Sequence, residues 1–517
     1  MSGISESGRS VARAAKLLAA SVLLARLLGF ARDALFATHV GIGPAADAYF
    51  AAFMIPDMLG YLMAAGAAAI AVTPPYMRRL ETQGPEAAAR FASSVVGHVG
   101  LFSIAMTALL WVFAEPLLRL QFSAFDESTI VETARLMRIV LPAQIFFLTG
   151  GVLRGVLMAH GRFAPQAGAA VIYSAAPILG GLFIAGAEGF AWGTLAGAAI
   201  GQWAIPVLAL RRLPGAVSRI RVHPFDADFR EYAWLALPLM LGLGLATVDE
   251  WYEKWIGGQV AEGAIAAITY ARKLMMAPVG VVGQAVGAAL LPALTALFHR
   301  DDHEGFSGLF TTTLRTTLGL GVLASGALIA MSLPVVRLLY EHGRFTAANS
   351  SEVAGLLVIL ACAVPGWVLQ QVAVRGFYAR GEMWRAMALS TLIALSVFPL
   401  YLWGGRVGGI RGLAMASATA ISLNAIITII WLRMRCGAPD LATLAETYGR
   451  TALISLVAAA ATTTLLQTLP DTVTSPFVSL GLGGSVYALV ALLGVRWIGD
   501  APLREALNHV LTRLRRG

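Results

Sequence analysis

Uncharged, mainly apolar runs of about twenty residues recur along this chain, Thr316–Val336 and Thr451–Leu469 among them. At about 1.5 Å per residue such a run spans the hydrocarbon of a bilayer as a helix. Lipid offers no partner for backbone N–H and C=O groups, so only helices or closed barrels cross it. A barrel would alternate polar and apolar residues in segments of roughly ten; these runs do not. The chain is 58% hydrophobic and 13% charged, against about 25% charged in soluble domains, so it lacks the polar residues to coat a soluble body of this length. The reading is an all-α polytopic membrane protein.

Fourteen candidate helices follow, near 12–38, 46–72, 93–118, 134–157, 165–186, 188–210, 232–256, 264–297, 310–333, 352–378, 384–403, 409–432, 450–469 and 476–498. Arg9, Arg13 and Lys16 precede a short apolar run, as in a signal peptide. The run continues past Arg26 without a clear small-residue cleavage site, so it reads as an uncleaved first span. Bases crowd alternate loops: Arg78, Arg79 and Arg90; Arg154 and Arg162; Arg211, Arg212, Arg221 and Arg230; Arg433 and Arg435; and the tail. That bias puts both termini in the cytoplasm. It also explains the net charge of +9 without nucleic acid as a partner. Cys362 and Cys436 stand far apart and form neither a metal-ligand pair nor a disulfide framework.

The first and second sets of six helices echo each other at an offset near 220. Tyr49 and Pro56 match Tyr270 and Pro278, and Ala159-His160-Gly161 matches Ala379-Arg380-Gly381. The expected division is 1–231 for helices 1–6, 232–433 for helices 7–12, and 434–517 for helices 13–14 and a cytoplasmic tail. Paired repeats of this kind place a substrate site at their interface and work by alternating access.

Ionisable residues at membrane depth cost about 2.5–3.5 kcal/mol each on insertion scales and mark cavities or partners. Helix 1 carries Arg26, Arg32 and Asp33, with Gly29 between the arginines as a place to bend. Guanidinium groups suit phosphate because they bond it bidentately; the alternative for Arg32 is snorkelling to an interface. Asp47 opens helix 2, to cap it or to pair with a helix 1 arginine. Helix 7 carries Asp249, Glu250, Glu253 and Lys254. Asp249 and Glu253 share a face, and Glu250 can pair with Lys254. These acids read either as a site for a coupling cation, Na+ or H+, or as a helix end in outer-surface water. Arg272 and Lys273 begin helix 8; two adjacent bases cannot easily face one cavity, so one is the ligand and the other pairs with helix 7. A basic cavity implies an anionic substrate.

Arg26-Leu-Leu-Gly29-Phe-Ala-Arg32-Asp33, then Asp47-Ala-Tyr-Phe and Pro56, resembles the opening motif of the MurJ (MviN) family. Tyr270-Ala-Arg-Lys-Leu-Met, Pro292, His342-Gly343-Arg344-Phe345-Thr346 and Gly376-Phe377-Tyr378-Ala379-Arg380 continue the resemblance in order. The resemblance implies the multidrug/oligosaccharidyl-lipid/polysaccharide exporter fold: two six-helix lobes in a V plus two C-terminal helices that hold the lipid tail. It implies a flippase, not an enzyme, that moves lipid II, an undecaprenyl-diphosphate peptidoglycan precursor, to the outer leaflet of the bacterial inner membrane. Another undecaprenyl-diphosphate glycan, an O-antigen or exopolysaccharide unit, is the alternative cargo. Membrane lipids and cell-wall synthesis proteins would be its partners. Arg26 and Arg32 fall on family cavity arginines, and Lys273, with Arg272 beside it, on a third base. Gly60 and Ala65 stand where the family often has an arginine and a glutamate. No metal and no organic cofactor is implied beyond a coupling cation. Asp301, Asp302 and Glu304 with His299 and His303 form the one compact group an enzyme reading could use; loop solvation explains them equally.

Overall fold

A computed structural model describes residues 2–62, 68–213, 215, 217, 220–223, 226–241, 245–468 and 475–514. Among them the regular structure is helical. The chain divides into two compact units, Met1–Gly242 with His342–Phe345, and Leu243–Glu341 with Thr346–Gly517.

The first unit contains α1 (Ser2–Val40), α2 (Pro44–Ala52), α3 (Met54–Leu62), α4 (Ala68–Thr82), α5 (Pro85–Val112), α6 (Ala114–Gln121), α7 (Glu127–Val140), α8 (Ala143–Ala159), α9 (Ala164–Phe183), α10 (Ala187–Gly197), a π-helical turn (Ala198–Ala204), α11 (Ile205–Leu210) and α12 (Ala227–Leu241). The second contains α13 (Leu245–Val260), α14 (Ala264–His299), α15 (His303–Ala330), α16 (Ser332–Tyr340), α17 (Ala347–Ala361), α18 (Val364–Ala379), α19 (Met383–Ser396), α20 (Phe398–Cys436), α21 (Leu441–Thr468), α22 (Pro476–Trp497) and α23 (Ala501–Leu514).

The internal repeat is visible element by element. α5 and α15, α6 and α16, α7 and α17, and α8 and α18 begin 218, 218, 220 and 221 residues apart. Their caps repeat as well. Asp126 accepts the Thr129 N–H at the start of α7, and Thr346 with Asn349 forms a capping box at the start of α17. Such caps satisfy N–H groups that the first helical turn leaves unpaired.

Each unit also closes a hairpin through glycine. Inside lipid, apolar burial does not drive helix association; close backbone approach of small residues does. On the α9–α10 hairpin a Cβ at Gly193 would lie 2.5 Å from Pro177 Cα. In the second unit the backbone turns at Gly409, whose φ of 58° favours glycine. A Cβ at Gly404 would lie 2.5 Å from Gly412 O. Eight residues of straight helix would hold those groups about 12 Å apart, so the chain doubles back inside α20.

Nine described helices or joined helices are long and apolar enough to cross a membrane, ten when α17 and α18, bent by 43°, count as one span. The expected count of fourteen is not reproduced, for identifiable reasons. Expected helix 2 breaks at Phe53, between α2 and α3, and residues 63–67, including Ala65, lie outside the described set before α4. Expected helix 7 falls on α12 and α13, with residues 242–244 between them outside the described set. Expected helices 11 and 12 fall in one continuous stretch, Met383–Cys436, that reverses at Gly409. Helix 1 runs unbroken through Gly29, which has open space beside it; the side chains of residues 1–19 lie outside the described set. The C-terminal tail is not a loop but α23, docked by Leu503 against Gly319 of α15.

Candidate functional site

In the first unit α1 presents Arg26 and Arg32, both half-buried. Arg32 Nε donates to Asp33 Oδ1 at 3.0 Å, and Asp33 is buried. Tyr49 of α2 and Tyr173 of α9 lie within electrostatic reach of the same guanidinium. Phe36, Tyr49 and Phe190 pack ring on ring behind it, with Phe36–Tyr49 centroids 4.4 Å apart. Arg32 is therefore held at the edge of an aromatic core and retains 28% side-chain exposure. Asp47 is 1% exposed in the first turn of α2. It does not cap the helix, because Gly43 holds the N-cap position; its charge sits where the helix dipole favours an acid.

Beside these residues a cavity of about 260 Å³ opens among α3, α7, α8, α9 and α10. Gly60 and Gln144 meet in its wall: a Cβ at position 60 would lie 2.6 Å from Gln144 Oε1. The family-motif turn His342–Phe345 also belongs to this unit. Arg344 N–H donates to Thr38 O at 2.9 Å. Gly343, at φ 58°, leaves no room for a Cβ beside Thr38, which explains the glycine in that motif.

The second unit holds a buried ionic cluster. Asp249 and Glu253 of α13 are 0% and 1% exposed, and Arg272 of α14 is 7% exposed. Arg272 Nε donates to Glu253 Oε2 at 2.6 Å and Nη2 to Ser417 Oγ at 3.1 Å. Its Nη2 also donates to Asp249 Oδ2. Tyr401 O–H donates to the other Asp249 oxygen, and the Arg272 guanidinium lies 5.7 Å from the Trp367 ring centroid. Thus Asp249 and Glu253 are interior groups, not a helix end in water, while Glu250 is half-exposed. Lys254 pairs with Glu250 at 2.8 Å.

Arg272 was grouped with the substrate-binding bases on sequence; its donors are instead committed to Asp249, Glu253 and Ser417. Consecutive helical residues point about 100° apart, so Lys273, half-buried beside it, faces elsewhere and is an electrostatic neighbour of Glu250. Tyr401 and Ser417 lay outside any sequence expectation. They reach Asp249 only because α20 packs on α13, and no local pattern marks them. The loop acid Asp302 accepts the Gly305 N–H at 2.8 Å as the N-cap of α15, a structural use for a group the enzyme reading needed.

Helices repeated between two units, each unit carrying buried charge, resemble solved transporters of the MOP superfamily in fold. A solved structure titled as the inward-facing conformation of a multidrug resistance MATE family transporter of that superfamily matches at TM-score 0.68 and 17% identity, covering 80% of this chain and 94% of its own. One titled lipid II flippase MurJ, inward closed conformation, matches at TM-score 0.77 and 21% identity, covering 93% and 99%. The family model for the lipid II flippase MurJ matches residues 36–480. The chain belongs to that family. A probable lipid II flippase MurJ of Rhizobium tropici is 30% identical over 438 residues, 80% of this chain and 79% of the relative. A lipid II flippase MurJ of Burkholderia cenocepacia is 24% identical over 437 residues, 82% and 84%.

Proposed function

We propose that this chain is a multi-pass inner-membrane flippase that carries lipid II from the cytoplasmic to the outer leaflet by alternating access. Membership of the lipid II flippase family over most of the chain is the observation that carries the reading. Arg32, tethered by Asp33 yet partly exposed, is a bidentate donor for the diphosphate. Arg26 lies on the same helix, and Lys273 of the second unit supplies a further positive charge. Asp33 and Asp47 position the N-terminal bases.

The Asp249–Glu253–Arg272 cluster serves the energy coupling. Two carboxylates against one guanidinium leave one negative charge in a buried place, a costly state unless a partner balances it. Na+ or H+ is that partner. Transport in proteoliposomes that follows a Na+ gradient at fixed pH assigns sodium, and one that follows the pH gradient in sodium-free buffer assigns the proton. Transport indifferent to both removes the cluster from coupling.

The deciding experiment is complementation of a strain depleted of its lipid II flippase, read as lipid II exposed at the outer leaflet. The wild-type chain restores exposure, and the Arg26→Ala/Arg32→Ala variant inserts but does not. Failure of the wild-type chain with verified expression moves the cargo to another undecaprenyl-diphosphate glycan. Normal growth on the double variant removes the two arginines from the site.

A further inference from the structure

The 260 Å³ cavity beside Arg32 has a wall unlike that of an anion site. Among the described residues lining it there is no lysine or arginine. Its polar groups are Asp57, Gln144, Thr194 and the tyrosines, and its apolar wall joins Phe53 and Phe147 with the smaller Val140 and Ala143. Phe147 and Tyr173 meet edge to face there, centroids 5.0 Å apart. A phosphate or the carboxylates of a peptide would be repelled by Asp57 and meet no cation. A hydrocarbon tail would leave the amide of Gln144 unmatched.

Gln144 supplies the second observation. It is 6% exposed, and among the described residues no side-chain hydrogen bond satisfies its amide. The amide lines the cavity and is open to it, so the group that satisfies it there must supply both a donor and an acceptor. Gly60 is what permits this placement. The amide lies over the glycine, and any Cβ there would meet Oε1 at 2.6 Å and push the side chain aside.

A sugar ring fits these requirements. Its C–H face packs on aromatic rings, and its hydroxyl or acetamido groups both donate and accept toward Gln144 and accept or donate around Asp57 and the tyrosines. The volume is just under the roughly 300–1,000 Å³ of sites for drug-sized ligands, which suits one ring and not two. Position adds a further constraint. Tyr173 lines the cavity and is within electrostatic reach of both Arg32 and Asp57. Because α1, which carries Arg32, packs against α9, which carries Tyr173, a diphosphate on Arg32 would leave the sugar attached to it near the cavity.

We infer that the cavity bounded by Gly60, Gln144, Phe147 and Tyr173 is a subsite for the first sugar ring of the lipid-linked glycan, with the Gln144 amide as its specificity-determining contact. The inference rests on the flippase reading and deepens it.

The test compares three ligands on the full chain in nanodiscs: undecaprenyl diphosphate, its monoglycosylated form, and lipid II. Gln144→Leu removes the amide and keeps an apolar side chain of similar size. It is expected to weaken both glycosylated ligands by roughly tenfold, the usual effect of one lost hydrogen-bonding group, and to leave undecaprenyl diphosphate unchanged. Tyr173→Phe keeps the ring contact with Phe147, and a several-fold loss restricted to the glycosylated ligands also supports the subsite. If both variants bind all three ligands as the wild type does, or lose all three equally, the subsite is overturned. Undiminished undecaprenyl diphosphate binding by Arg32→Ala would overturn the diphosphate assignment instead, and the glycan-dependent loss in Gln144→Leu would still decide the subsite.

Discussion

Arg272 shows how tertiary contacts choose between two uses open to one side chain. Its charge was plain in the sequence, but its forked geometry closes on Asp249 and Glu253. Removing one partner of a buried ion pair costs about 3–5 kcal/mol because the remaining charge stays buried. Arg272→Ala is therefore expected to lower the unfolding temperature of the detergent-solubilised protein sharply, and Glu253→Gln in the same chain to restore part of it. A double variant no more stable than Arg272→Ala alone would contradict this pairing. Lys273 makes the complementary case. Lys273→Arg keeps the positive charge and is expected to keep lipid II exposure in the depletion strain, whereas Lys273→Glu reverses it and loses exposure; equal activity of the two would take Lys273 out of the site. Asp226, in the loop before α12, gives a pH-dependent example. Partial burial raises its pKa, but the Ser94 hydroxyl at 2.8 Å and the Asp228 and Phe229 N–H groups outweigh burial and hold it below its usual value. A carboxyl with a lowered folded pKa stabilises above its unfolded value, and that stability is lost as pH falls through the folded one. The difference in unfolding temperature between wild type and Asp226→Asn, worth about 1 kcal/mol as for a lost cap, should be full at pH 7, begin to shrink near roughly pH 4 and vanish only once the pH is below the lowered folded pKa.

At the scale of elements, periodicity and length placed α5, α14, α21 and α22 close to where they lie, because an apolar run in lipid has no alternative to helix. What they missed were the interruptions. The short α6 and α16 follow their long neighbours after one residue, and hydropathy runs straight through such a break. The reversal at Gly409 is a backbone event on one residue inside an apolar stretch. α23 was missed for the opposite reason. Its sequence is too polar to cross a membrane, so it read as a tail, although tertiary contacts fix it. Asp500 Oδ1 accepts the Leu503 N–H at 3.3 Å, while its Oδ2 pairs with Arg315 at 3.0 Å and accepts from the Thr447 O–H. Through its two oxygens, one carboxylate thus caps α23 and ties it to α15 and α21. Asp500→Ala is expected to speed hydrogen exchange in the first turns of α23 while α22 keeps its protection. Unchanged exchange in α23 would mean that Leu503 alone holds the helix.

For the molecule as a whole, the loop charges carry an orientation that can be checked without a structure. Position 185 lies in a connection free of lysine and arginine, and position 222 in a basic one. With Cys362 and Cys436 replaced, Ala185→Cys should react with an impermeant maleimide in intact spheroplasts and Val222→Cys only after lysis. The reverse pattern would invert the topology. The repeat is a second whole-molecule property. Residue identities at the 220-residue offset were sparse, yet helix starts and cap geometry keep it closely. Caps and turn positions obey backbone demands that many sequences can meet, so the elements repeat more faithfully than the letters do.

Sequence alone determined the solvent of this protein, its helical class, the doubling of its plan and the presence of costly charges in its spans. Each follows from the free energy of placing a residue type in lipid, a property of the residue and its near neighbours. Tertiary structure decided which charges are neutralised and which remain available. Arg32 keeps part of its surface beside Asp33, while Arg272 is consumed by Asp249, Glu253 and a serine 145 residues away. Gln144 likewise reaches Gly60 of another helix far away in the chain. Those outcomes depend on distances between elements far apart in the chain, which no local window of sequence contains.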